Sequence, residues 1–208
     1  MFSKKLLIRS LGKIDPSMTI SFGANEYYVG DTVVITCTLP NDATGTVTIS
    51  VDDTQYTEQL SNGVATFNIT GLLSGNKSVY ASYSGDSKYT NTTQTGTVSI
   101  TKKTFLLLNN PSYRDSYYEH QNNSYQKFKL RIPPDADVDK LYVQCNGTSY
   151  FGSLSSEGSS YKYVLFEIFG LSAGRYTAVV GYLGDDIYLA NDKVYTLSWR
   201  VQSDTPIS

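Results

Sequence analysis

Residues 62–89 read NGVATFNITGLLSGNKSVYASYSGDSKY, and residues 161–188 read YKYVLFEIFGLSAGRYTAVVGYLGDDIY. The second stretch is a worn copy of the first. Phe67, Ile69, Gly71, Leu72, Gly75, Tyr83, Gly85, Asp86, Tyr89, Thr97 and Ser99 recur 99 positions later as Phe166, Ile168, Gly170, Leu171, Gly174, Tyr182, Gly184, Asp185, Tyr188, Thr196 and Ser198. Self-similarity at a fixed spacing means that one structural unit has been copied. Apart from the aspartate, the shared residues are apolar, turn-forming or hydroxyl types. The repeat therefore preserves a shape and carries no reaction chemistry.

Inside the stretch, Ala65, Phe67 and Ile69 alternate with polar neighbours, as do Val79, Ala81 and Tyr83. Outward from it the pattern continues through Val33, Ile35, Cys37 and Leu39, through Val47, Ile49 and Val51, and through Val98 and Ile100. A period of two is the signature of strands with one buried face. Pro40-Asn41-Asp42, Asp52-Asp53, Asn62-Gly63, Ser74-Gly75-Asn76 and Ser84-Gly85-Asp86 punctuate the runs with turn chemistry. The first unit thus reads as seven strands, over 18–22, 32–39, 46–51, 55–60, 64–69, 77–83 and 95–101. The second follows the same order: Phe105–Leu108, Gln126–Ile132, Leu141–Cys145, Tyr150–Leu154, Val164–Ile168, Tyr176–Tyr182, and a last strand through Leu197 and Trp199. It differs by a polar insert, Ser112–Asn123, and by a longer loop, Ser155–Ser160. Short strands at this spacing predict an all-β fold of two tandem sandwiches. The expected division is a tail over 1–16, a first domain over 17–102, a divergent Tyr-rich domain over 103–202, and a tail over 203–208. The short join Thr101-Lys102-Lys103-Thr104 implies domains set end to end, as in a stalk.

Composition narrows the function. The chain has 208 residues, of which 17% are charged, and a formal net charge of -2. That balance argues against nucleic acid as a partner, since binding phosphates needs a basic face. No run approaches the roughly eighteen apolar residues of a membrane-spanning helix, so membrane insertion is not expected. Near the N-terminus Arg9 interrupts the run Leu6-Leu7-Ile8, short of the about 7–15 apolar residues of a signal peptide. The expectation is a piece of a longer exported protein, or one that leaves the cell inside a virus particle. Cys37 aligns with Leu130 and Cys145 with Val51, each in a core slot of its own unit, so both are expected as buried free thiols.

The string Gly45-Thr46-Val47, Asn62-Gly63, Gly71 to Gly75 and Tyr83 to Tyr89 resembles the bacterial and archaeal Ig-like repeats of adhesin-like surface proteins, a type abundant in methanogens. The likeness is strong over about 17–102 and weaker over 103–202, where Leu183 replaces the serine before Gly184. It implies immunoglobulin-like β-sandwich domains used as a spacer or adhesive module, with no catalytic residues and no cofactor.

Candidate chemistry is sparse. His120, the one histidine, stands in the polar insert and reads as a loop residue. Gly85-Asp86 and Gly184-Asp185-Asp186 offer one or two carboxylates per turn, too few for a calcium ion that takes six to eight oxygens. They read as aspartates capping their own turns, and Asp52-Asp53 reads the same way. Asn68, Asn76, Asn91, Asn122 and Asn146 open N-x-Ser/Thr sequons, acceptors for glycans if the protein is exported. Twelve of eighteen tyrosines lie between Tyr113 and Tyr195. Tyr117, Tyr118, Tyr142, Tyr161 and Tyr163 fall in loops or on the outward parity, with Leu165 and Val179 beside them. Tyrosine gives contact area and a polar handle at low entropic cost. These five are the candidate contact patch, and the first domain would space the second. The expected role is a non-enzymatic adhesin or stalk module, extracellular or at the cell surface. Its partners would be a protein or a cell-surface glycan, and strand edges offer a route to self-association. The alternative is a virion component that decorates a capsid or tail.

Overall fold

The computed structural model describes residues 12–109, 126–172 and 174–201. The chain divides after Thr101 into two compact units, both all-β.

The first unit holds β1 (Thr19–Phe22), β2 (Tyr27–Tyr28), β3 (Val33–Thr38), β4 (Thr46–Val51), β5 (Thr54–Gln59), β6 (Val64–Ile69), β7 (Gly75–Tyr83) and β8 (Thr92–Thr101). They form one sheet in the order β1-β3-β6 and a second in the order β2-β8-β7-β4-β5. The alternating residues become the core of an immunoglobulin-like sandwich: Ile35, Cys37, Val47, Ile49, Val79, Ala81 and Tyr83 are all closed to solvent. Tight turns bring the strands together. Asp52 and Asp53 (φ 46° and 62°) join β4 to β5, and Asn62 and Gly63 (φ 51° and 75°) join β5 to β6. Two successive residues at positive φ make the primed turn that suits twisted hairpins. β2 was not expected. Two residues are too few to show a period, and the strand exists through parallel pairing of Tyr27 and Tyr28 with Ile100 and Thr101.

The second unit holds β9 (Gln126–Ile132), β10 (Leu141–Cys145), β11 (Thr148–Phe151), β12 (Ser153–Gly158), β13 (Tyr161–Ile168), β14 (Gly174–Tyr182) and β15 (Asn191–Val201). The sheets run β12-β13-β9 and β11-β10-β14-β15. Three expectations need correction. Phe105–Leu108 is not a strand: its link to β9 is one bond from the Leu108 amide to the Arg131 carbonyl (2.8 Å), while Phe105 is fully buried. Apolar spacing there reports burial without a ladder. Tyr150–Leu154 is not one strand but two, on different sheets, divided at Gly152. The chain crosses so close to β13 that a Cβ at Gly152 would stand 2.4 Å from Val164 Cγ1. The predicted loop Ser155–Ser160 is largely β12, an exposed polar edge strand paired with β13. An edge with no buried face leaves no alternation to read.

Register confirms the alignment of the cysteines. Cys37 faces Ala65 as Leu130 faces Val164. Both thiols are free and buried, and burial pushes Cys37 up to about 11 and Cys145 in the same direction. Register also corrects the tail of the repeat. β7 and β8 pair without interruption, whereas β15 bulges between Tyr182↔Asn191 and Val180↔Tyr195. Two steps along β14 match four along β15, so Thr196 and Ser198 sit two positions out of step with Thr97 and Ser99.

Candidate interaction surfaces

The conserved Gly-Asp-x-x-Tyr string builds a corner in each unit. Asp86 Oδ1 accepts the amides of Lys88 (2.8 Å) and Tyr89 (2.7 Å), closing its own turn. Oδ2 crosses to the loop before β4 and accepts the Thr44 amide at 2.8 Å and hydroxyl at 3.1 Å. The Tyr83 hydroxyl donates to the Thr44 carbonyl at 2.6 Å, and the Tyr89 hydroxyl to Asp42 at 2.7 Å. In the second unit Asp185 Oδ1 accepts the amides of Ile187 and Tyr188 (2.8 and 2.7 Å). Oδ2 accepts the Asp137 amide at 3.1 Å and the Tyr182 hydroxyl, while Tyr188 donates to Asp135 at 2.7 Å. The chain entering each unit is pinned to the same corner. Ile14 bridges Tyr89 in parallel, and Lys103 bridges Tyr188.

Electrostatics follow from these donors. The amides of Thr44 and Tyr89 hold Asp86 well below the usual carboxylate range. Burial pushes Asp185 upward, but the Tyr182 hydroxyl and the amides of Tyr188, Asp137 and Ile187 outweigh it and keep it low. Burial, with Asp86 nearby, drives the Tyr83 phenol up to about 12. The aspartates are ties between loops, and among the described residues no cluster of three metal-ligating side chains occurs. Asp52 sits in its turn with Lys77 Nζ at 2.7 Å.

The tyrosines divide between two faces. Tyr161 and Tyr163 lie together on the outer face of β13, rings 5.1 Å apart and edge to face. Arg131, cross-strand from Tyr163, places its guanidinium carbon 4.5 Å from the Tyr161 ring centre. Leu165 and its partner Lys129 continue the row. At the aligned positions the first unit has Asn62, Val64 and Thr66. Tyr142 is on the other sheet, beside Phe151 at 6.2 Å. Its ring covers Gly181, where a Cβ would come within 2.2 Å of it. Val179 shares that sheet's outward face. Tyr117, Tyr118 and His120 lie outside the described residues. Of the sequons, Asn91 and Asn146 are exposed outside strands, and Asn68 and Asn76 are exposed on β6 and β7. Asn122 lies outside the described residues.

Residues 20–101 match the family of bacterial Ig-like domains (group 3), so the chain carries an Ig-like repeat. Comparison with curated protein sequences finds no match. Among solved structures, the chain is similar to SGBP-B of the Bacteroides ovatus mixed-linkage glucan utilization locus, in complex with a mixed-linkage heptasaccharide. The identity is 15%, over 89% of this chain and 47% of that one, with a TM-score of 0.33. It is also similar to the fibronectin(III)-like modules of Clostridium thermocellum CbhA, at 16% identity over 86% of this chain and 91% of that one, TM-score 0.32. The present chain spans under half the length of the first of these.

Proposed function

We propose that the chain is a non-enzymatic Ig-like module of the adhesin type, acting at a surface by attachment or spacing through protein or glycan contacts. The second unit makes the contact and the first spaces it. One observation carries this reading: the paired rings of Tyr161 and Tyr163, packed with Arg131 on an outer sheet face, where the aligned first-unit positions Asn62 and Val64 have no aromatic ring. Half-buried aromatic rings beside a guanidinium suit both sugar faces and protein side chains. The match of residues 20–101 to an Ig-like family supports a structural scaffold and an extracellular or surface location. The repeat's aspartates are engaged in holding loops.

Binding of the full chain to arrayed glycans and to isolated cell-wall material tests this. Replacing Tyr161 and Tyr163 together by serine is expected to weaken the strongest interaction roughly tenfold or more with little change in melting temperature. Unchanged affinity in the folded double variant would remove the proposal.

A further inference from the structure

The bulge in β15 has a chemical result. In the first unit Asn76 faces Ser99 across an unbroken ladder. An unbroken ladder in the second would set Arg175 against Ser198. The two extra residues on β15 instead set Arg175 against Arg200, and Thr177 against Ser198. Alternation leaves all four side chains on the outer face, and all four are exposed. Like charges directly opposite each other weaken a sheet. Among the described residues, neither guanidinium forms an ion pair or a hydrogen bond. Folding alone does not account for this pair.

The arginines flank a cleft of ≈ 390 Å³ lined by Arg175, Tyr176, Thr177, Ser198, Trp199 and Arg200. Among the described residues no carboxylate lines it. Tyr176 and Trp199, on the alternate parity, turn to the core side of the sheet, where their rings stack at 5.9 Å. The cleft lies at a sheet edge, because β15 is terminal in its sheet. The corresponding edge in the first unit is covered by β2, while among the described residues β15 pairs with β14 alone.

We propose that this cleft binds the carboxylate-bearing sugar of an acidic polysaccharide. Two guanidinium forks match a carboxylate in shape and charge. The hydroxyls of Thr177 and Ser198, the next pair on the same face, both donate and accept, as ring hydroxyls require. The volume falls in the range of small-ligand clefts. A nucleic acid fits less well, since its affinity comes from many phosphate contacts on a basic surface and the chain is net negative. The site is independent of the Tyr161–Tyr163 face, which belongs to the other sheet.

Calorimetric titration of the full chain with an oligogalacturonide, a neutral oligosaccharide of equal length, inorganic sulfate and duplex DNA tests the assignment. The oligogalacturonide is expected to bind, more weakly as salt rises, and the neutral sugar not to bind at this site. The double variant R175Q/R200Q should lose roughly tenfold or more in affinity. R175K/R200K should fall between, because lysine keeps charge without the fork. The Tyr161/Tyr163 serine variant should keep the uronate affinity, which separates failure of this site from failure of the aromatic face. Equal uronate affinity in R175Q/R200Q would overturn the proposal. So would duplex DNA binding as tightly with the same arginine dependence, or arginine-dependent binding of sulfate alone.

Discussion

The carboxylate of Asp86 receives the backbone N–H of Tyr89 at 2.7 Å, and Asp185 receives that of Tyr188 at the same distance. Each carboxylate then spans to the loop before the next sheet strand, at Thr44 and at Asp137. One acidic side chain thus closes its own turn and fastens a loop 42 residues away in the first unit and 48 in the second. The amides stabilise the charged form, so the folded-state pKa of Asp86 lies below the ordinary carboxylate value of about 3.9. The sign follows from linkage. The charge contributes stability above about pH 4 and loses it as pH falls through the lowered value. Asp86→Asn is expected to lower the melting temperature by a constant amount near neutrality, with the gap from the native chain closing below about pH 4. Thermal melts across this range check it. A gap independent of pH would mean that shape, not charge, makes the tie.

Tyr83 fills the core with its ring and ends in a hydroxyl bound to the Thr44 carbonyl at 2.6 Å. Truncation to alanine should cost about 3–5 kcal/mol, the range for a large buried aromatic. Phenylalanine keeps the ring and should cost only about 0.5–1.5 kcal/mol. Denaturant melts of the two variants separate packing from the hydrogen bond, and a loss below about 1 kcal/mol for Tyr83→Ala would contradict the burial.

Alternation, turn dipeptides and the repeat made most of the core legible, because each is a local consequence of one buried sheet face. Val47, Ile49 and Val51 needed no partner to be read as inward. Which sheet a strand joins is not local. Tyr142 and Tyr163 both read as outward, yet they face opposite ways because β10 and β13 belong to different sheets. β2 and β12 escaped notice for a related reason: one is too short for a period and the other buries neither face. The arginine pair was beyond sequence reading, since it depends on a bulge that shifts register by two while leaving parity intact. Parity is what a hydrophobic pattern records.

Phe105 stacks on Tyr182 with ring centres 3.9 Å apart and planes 1° from parallel, and Tyr188 meets it edge-on. Although it lies outside any strand, it joins the core to both tyrosines of the second corner. Phe105→Ala should therefore destabilise the second unit by about 3–5 kcal/mol. The test is an unfolding curve followed by near-ultraviolet dichroism. A variant within about 0.5 kcal/mol of the native chain would show that the stack carries no energy.

Gly152 stands where the chain leaves β11 for β12, with no space for a side chain. An added Cβ would meet Val164 Cγ1 at 2.4 Å, the Leu165 carbonyl at 2.9 Å and Phe166 Cε2 at 2.9 Å. Two of these neighbours are fully buried core residues, so relief requires moving the core or the strand. Gly152→Ala should cost about 1–3 kcal/mol by overpacking, whereas Gly71→Ala, with open space around it, would lose stability only through its positive φ. Equal small losses in both would mean that the crossing relaxes freely.

Both thiols should be silent in the folded protein. Cys37 is fully enclosed and Cys145 nearly so, and burial raises Cys37 to about 11. The thiolate is the reactive form, so neither access nor ionisation favours attack at mildly alkaline pH. Ellman's reagent is expected to label neither residue in native buffer and both in denaturant, with the native rate limited by opening of each unit. Substituting Cys37→Ala should then leave the slow native rate of Cys145 unchanged, because the two thiols belong to separate cores. Rapid labelling of either in native buffer would show that the sandwich interior is open to solvent.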